Sequence, residues 1–234
     1  QRKTVLSIIS ISTASDSVSR DQNSVYVTMV VSNEGQSTAG IAPGKAVLVF
    51  TSAGGNADID YVVQDISAPL SIPGGSYETF VYSIAVSGAA TLGRITIDGS
   101  VTGTDLNSGY ILTDRTAETT DGWMAQKKAV LSIISIVTGN QLVSTGQNDI
   151  YVTMIVSNEG QAVLGVGQDK AHLRMISSGG TVTGEYAWEY IRNPLTIAGN
   201  TWETYIFSVS IGETATLGTI TINGSITGTD LNSG

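Results

Sequence analysis

Apolar and polar residues alternate along most of the chain. In VYVTMVVS at 25–32, Val25, Val27 and Met29 fall on one face of an extended segment, and ETFVYSIAV and RITIDGSVTG repeat the alternation. A period of two is typical of half-buried β-strands. In the first half of the chain the pattern predicts strands at 4–12, 24–32, 45–51, 58–64, 76–87, 92–103 and 109–113, separated by turns rich in Gly and Asn.

The chain repeats itself at an offset of 125 residues without a gap. VYVTMVVSNEGQ at 25–36 returns as IYVTMIVSNEGQ at 150–161, and 57 of the 109 positions in 1–109 are identical to their counterparts in 126–234. A duplicated sequence rebuilds the same core, so we predict an all-β chain of two tandem immunoglobulin-like β-sandwich domains. The predicted domains are 1–114 and 126–234, with a linker at 115–125. Trp123, at the end of that polar linker, is predicted to be buried between the domains.

Several segments of both copies resemble a known group of repeats. They are VLSIISI, the strand that ends in Val-Ser-Asn-Glu-Gly at 31–35 and 156–160, IPGGSYETFVYSI and ATLGRITIDGSVTGTD. Together they resemble the CARDB and DUF11-type immunoglobulin-like tandem repeats of prokaryotic cell-surface proteins. The resemblance covers essentially both copies. It implies a role in adhesion or spacing at the cell surface, and it brings no catalytic residues with it.

Composition excludes several classes of function. The net charge of −9 would repel a polyanion, so nucleic acid is not an expected partner. No apolar run approaches the roughly 20 residues of a membrane-spanning helix. The chain has no Cys, its single His is His172, and it carries no phosphate-binding loop. Because these residue types supply most catalytic constellations, we predict that the protein is not an enzyme.

The sequence GTDLNSG ends both copies and offers oxygen ligands. Ca²⁺ prefers carboxylate and carbonyl oxygens, so calcium is the one cofactor that the sequence suggests. The alternative is an Asx-rich turn, because Asp and Asn side chains cap turns. The candidate metal ligands are Asp105, Asn107, Asp230 and Asn232.

Aromatic residues specific to the second copy form a candidate contact surface. Tyr186, Trp188 and Tyr190 alternate along EYAWEY and so share one face of a strand. With Trp202 they could stack on sugar rings or on a protein partner. The alternative is that they pack as core.

These features predict a structural repeat segment of an extracellular surface, adhesin or filament protein, acting as a rod-like spacer or polymer unit. The alternative is a carbohydrate-binding module that uses the aromatics of the second copy. The expected partners are further copies of the repeat, in tandem or as head-to-tail subunits, with glycans and other surface proteins as additional candidates. If 109–113 is the last strand of copy 1, copy 2 has no counterpart of it. The continuing chain or a donated strand is then expected to cover that edge.

Overall fold

The computed structural model describes residues 2–234, and this part of the chain is almost entirely β. Besides strands it contains two short 3-10 turns, Asp58–Asp60 and Thr183–Glu185. No described helix is long and apolar enough to cross a membrane. The chain divides into two compact units, of which the first ends at Gln126 and the second begins at Lys127. The all-β prediction is confirmed.

The first unit contains one antiparallel sheet and one larger, mixed sheet. Its strands are β1 (Leu6–Thr13), β2 (Ser17–Ser19), β3 (Val25–Asn33), β4 (Ala39–Gly40), β5 (Ala46–Ser52), β6 (Gly55–Asn56), β7 (Tyr61–Ser67), β8 (Ser71–Ile72), β9 (Ser76–Val86), β10 (Gly93–Asp105), β11 (Ile111–Asp114) and β12 (Asp121–Gln126). The first sheet has the order β1-β3-β9-β7. Each strand predicted for 1–114 overlaps one of these, whereas β12 and the short strands β2, β4, β6 and β8 are not among the predicted ranges.

The long strand β10 organises the larger sheet. One of its edges pairs with β5 and β4, and the other pairs with β11 and β12. β2 then adds to β12 in the parallel direction. The inward residues of both sheets form one buried cluster that includes Met29, Phe80 and Ile97. This sandwich-like packing follows from the alternation in the sequence, since alternate residues of a strand face the same side.

The segment 115–125 is part of the first unit and not a linker. The backbone N–H groups of Glu118 and Thr119 donate to the carbonyls of Ile8 and Ile9, and β12 follows directly. Trp123 therefore lies in the core of the first unit, where it is 0% exposed, and its predicted position between domains is wrong. The polar residues of this segment favour a linker when the sequence is taken alone. The alternation of β12 spans only six residues and is too short to identify a strand locally.

The repeated Val-Ser-Asn-Glu-Gly motif has a structural reason. Asn33 is buried, and its side-chain oxygen accepts hydrogen bonds from the N–H groups of Val5 and Gly35. Its amide nitrogen donates to the carbonyls of Ser37 and Ile72, at 2.8 and 3.0 Å. In the second unit, Asn158 makes the same four hydrogen bonds, with Val130, Gly160, Ala162 and Ile197. One side chain thus bonds to four backbone groups in each unit.

The second unit repeats the first sheet but divides the other. Its strands are β13 (Leu131–Thr138), β14 (Ile150–Asn158), β15 (Leu164–Gly165), β16 (Ala171–Ser177), β17 (Gly180–Thr181), β18 (Tyr186–Arg192), β19 (Thr196–Ile197), β20 (Thr201–Ile211), β21 (Thr221–Ile226) and β22 (Thr229–Asp230). The order β13-β14-β20-β18 matches that of the first unit. The remaining strands form two three-stranded sheets, β19-β15-β22 and β17-β16-β21.

Candidate functional site

The aromatic residues of β18 lie partly in the core of the second unit. Tyr186, Trp188 and Tyr190 are each half-buried and pack against its buried cluster. Trp188 meets Phe207 edge to face, with ring centroids 5.3 Å apart and planes at 86°. Tyr190 donates a short hydrogen bond to the carbonyl of Ala171, and burial raises the pKa of the Tyr190 phenol. The three rings therefore do not form a flat exposed platform for a sugar.

Trp202 lies on the other face of its sheet. Trp188 pairs with Val209, and paired residues of antiparallel strands point to the same side. Val209 is buried. Trp202 lies an odd number of positions from Val209 on the same strand, so its side chain points to the opposite face, where it is 61% exposed. The four predicted contact residues are thus split between two faces. Ligand contact at Trp202 alone stays a prediction.

The Asp residues of GTDLNSG hold turns. Asp105 is buried and accepts hydrogen bonds from the N–H of Thr4 at 3.0 Å and the hydroxyl of Ser37 at 2.9 Å. It also accepts from the N–H groups of Asn107 and Ser108. These hydrogen bonds hold the pKa of the Asp105 carboxyl well below its usual value, and the bond from the Thr4 N–H has the largest effect.

The second copy uses the same turn without the serine hydroxyl. Asp230 accepts from the N–H groups of Ala129 and Asn232, at 2.8 and 2.9 Å. The residue of the second copy that is equivalent to Ser37 is Ala162, which has no hydroxyl to donate. Within residues 2–234, no group of three or more His, Cys, Asp or Glu is placed to hold a metal ion. The geometry fits the turn-capping alternative, and calcium binding stays a prediction.

The second unit contains an apolar groove that the sequence did not locate. Its volume is about 490 Å³. Its walls come from β13, the following loop 140–143, β14, β16, β18, β20 and the stretch 218–222. Met175, Tyr186 and Ile220 are among the lining residues. Ile220 and Ile222 are only partly buried, whereas their counterparts Ile95 and Ile97 are 0% exposed.

In the first unit the corresponding space is filled by Trp123. Its ring centroid lies 5.9 Å from that of Phe50 and 5.5 Å from that of Tyr61, and its Nε1–H donates to the Tyr61 hydroxyl at 3.4 Å. Phe50 and Tyr61 correspond to Met175 and Tyr186 in the groove. The repeat offset could have located the groove, once Trp123 was known to be a core residue.

Comparison with known proteins gives no assignment. No protein-family model matches the chain, and no curated protein matches it. Among solved structures, the chain is similar to the crystal structure of a protein of unknown function from Porphyromonas gingivalis W83. The two share 12% sequence identity with a TM-score of 0.33, over 88% of this chain and 83% of the other. A likeness at that TM-score carries no argument about function.

Proposed function

We propose that the chain is a structural repeat segment of an extracellular surface, adhesin or filament protein. In this proposal each unit is an immunoglobulin-like β-sandwich of the CARDB and DUF11 type, and the units act in series as rod-like spacers or polymer units. Further copies of the same unit, in tandem or as head-to-tail subunits, are the proposed partners.

The observation that supports this proposal most is that repeated residues make the hydrogen bonds that hold strands and turns together. Asn33 and Asn158 bond to the same four backbone groups in their units. Asp105 and Asp230 cap the same turn. The motifs that the chain repeats are therefore those that hold strands and turns in place. Residues that differ between copies, such as Trp188 and Trp202, occupy positions where copy 1 has Val63 and Tyr77. A repeat that preserves its architecture and varies its faces is typical of a spacer.

Solution scattering tests the spacer role. Proteins with two units and with four units, made by joining this sequence to itself, should show a maximum dimension that grows in proportion to the number of units. A four-unit protein whose maximum dimension stays near that of the two-unit protein would contradict a rod.

Antibody labelling tests the proposed location. Antibodies raised against residues 1–234 should label intact cells of the source organism. Labelling that requires permeabilised cells would overturn the surface assignment while leaving the spacer role to the scattering experiment.

A further inference from the structure

One edge of β21 pairs with no strand in the described part of the second unit. Its other edge pairs with β16, from Ala171↔Ile226 to Ile176↔Thr221. In the first unit, β10 has partners on both edges and spans 13 residues, against the six of β21. An exposed strand edge presents a row of N–H and C=O groups, which is a template for pairing with another strand.

The residues that line the groove beside this edge are equivalent to residues that surround β12 in the first unit. There, β12 runs antiparallel to 93–97, with Ala125 opposite Gly93 and Trp123 opposite Ile95. The counterparts of Gly93 and Ile95 are Gly218 and Ile220, and both line the groove. Gly218 also keeps the left-handed backbone of Gly93, with φ of 124° against 111°. The acceptor side of this strand pairing is therefore preserved in the second unit.

We propose that this groove is an acceptor site for one extended β-strand with the pattern of residues 121–126, Asp-Gly-Trp-Met-Ala-Gln. The strand pairs antiparallel with 218–222 and places its Trp against Met175 and Tyr186. This is recognition by strand addition, in which backbone hydrogen bonds supply affinity and side-chain pockets supply specificity. The proposal does not depend on where the protein works.

Three features of β12 define the chemistry of the partner strand. The Trp fills the apolar space, as Trp123 does between Phe50 and Tyr61. The residue before it must be Gly, because a Cβ at Gly122 would lie 2.0 Å from the carbonyl oxygen of Ile95. The acidic residue before that Gly accepts a backbone N–H: Oδ2 of Asp121 lies 2.8 Å from the nitrogen of Thr13, whose counterpart is Thr138.

The test uses the full chain and a synthetic peptide of residues 110–126. We expect one peptide to bind per chain, because the first unit already contains its own β12. Calorimetry gives the stoichiometry and Kd. Hydrogen exchange of the complex should show new protection at 218–226, with no change at 93–105.

Peptide variants supply matched controls that cannot unfold the acceptor. Replacing the peptide's Trp with Ala (W123A) should weaken binding roughly 30-fold or more, as expected for an aromatic anchor in an interface. Replacing its Gly with Ala (G122A) should weaken binding as well. Replacing its Met with Ala (M124A) should leave Kd almost unchanged, because Met124 is 42% exposed in the first unit.

Three results would overturn the proposal. They are no binding at peptide concentrations up to about 1 mM, which corresponds to a binding free energy of about −4 kcal/mol, no new protection within 218–226 in the complex, and equal affinities of the W123A and M124A peptides.

Discussion

The two units share one sheet and differ in how the other is closed. β1-β3-β9-β7 and β13-β14-β20-β18 have the same strand order, and the same bulge lies between Ile8 and Ser10 as between Ile133 and Ser135. In the first unit, β11 and β12 complete the second sheet, and Leu6, Ile8 and Ile11 of β1 are buried. In the second unit, residues 2–234 include no such pair, and Leu131, Ile133 and Ile136 of β13 are only partly buried. The difference shows that 111–126 is an integral part of the fold of the first unit.

The largest expected effect comes from making the first unit resemble the second. Trp123→Ala should destabilise the first unit by about 3–5 kcal/mol, because it removes a fully buried aromatic side chain and leaves a cavity. Chemical denaturation followed by circular dichroism measures the loss, and hydrogen exchange assigns it to residues 2–126. Trp202→Ala is the matched control, since that side chain is 61% exposed. Similar losses in the two variants would contradict the core position of Trp123.

A smaller effect should be common to both units. Asn33→Ala and Asn158→Ala should each cost about 1–3 kcal/mol, because buried backbone donors and acceptors lose their partner. Thermal denaturation of the single variants measures both costs. Asn23→Ala and Asn148→Ala, at equivalent exposed positions, are the controls and should change stability by less than roughly 0.5 kcal/mol. A loss confined to one unit would show that the four-bond arrangement is not equally important in both.

The smallest expected effect is a pH dependence at the turn that Asp105 caps in the first unit. The pKa of Asp105 is lowered in the folded protein, so its ionised form stabilises the first unit above the ordinary carboxyl pKa of 3.8. That contribution declines as the pH falls below this value towards the folded-state pKa. Asp105→Asn should therefore lower the melting temperature of the first unit at pH 7, with the difference from the parent protein shrinking in acid.

Melting curves of the parent and the variant between pH 2 and pH 7 measure this pH dependence (the range spans the ordinary carboxyl pKa). A difference that stays constant over that range would contradict an ionised Asp105 as its cause.

The sequence predicted most strands but not those that depend on distant partners. β3 and β9 are nine and eleven residues long, so their alternation identifies them locally. β2 has three residues, and its strand form comes from pairing with β12, as in Met124↔Ser17. A pairing across more than a hundred residues leaves no local pattern. For that reason 115–125 was interpreted as a linker and Trp123 as an inter-domain residue.

The candidate site was predictable only in outline. The repeat offset aligns 218–222 with 93–97, the residues that pair with β12 in the first unit. It could not give the shape of the groove, because that shape depends on how Trp123 packs against Phe50 and Tyr61. The half-buried orientation of Trp188 was also hidden, since alternation places Tyr186, Trp188 and Tyr190 on one face without saying which face points inward.

The parallel pair of β2 and β12 has a consequence for synthesis. Chains are made from the N-terminus, so Ser17–Ser19 emerges long before Asp121–Gln126. Until then a nascent first unit has an open side, and pairings of such high sequence separation form slowly. Because the two copies are identical at 57 of 109 positions, the closing strand can also enter the other copy, which is a characteristic misfolding route of repeat proteins. We therefore expect slow translation through residues 110–126 to change how often the closing strand finds its own unit.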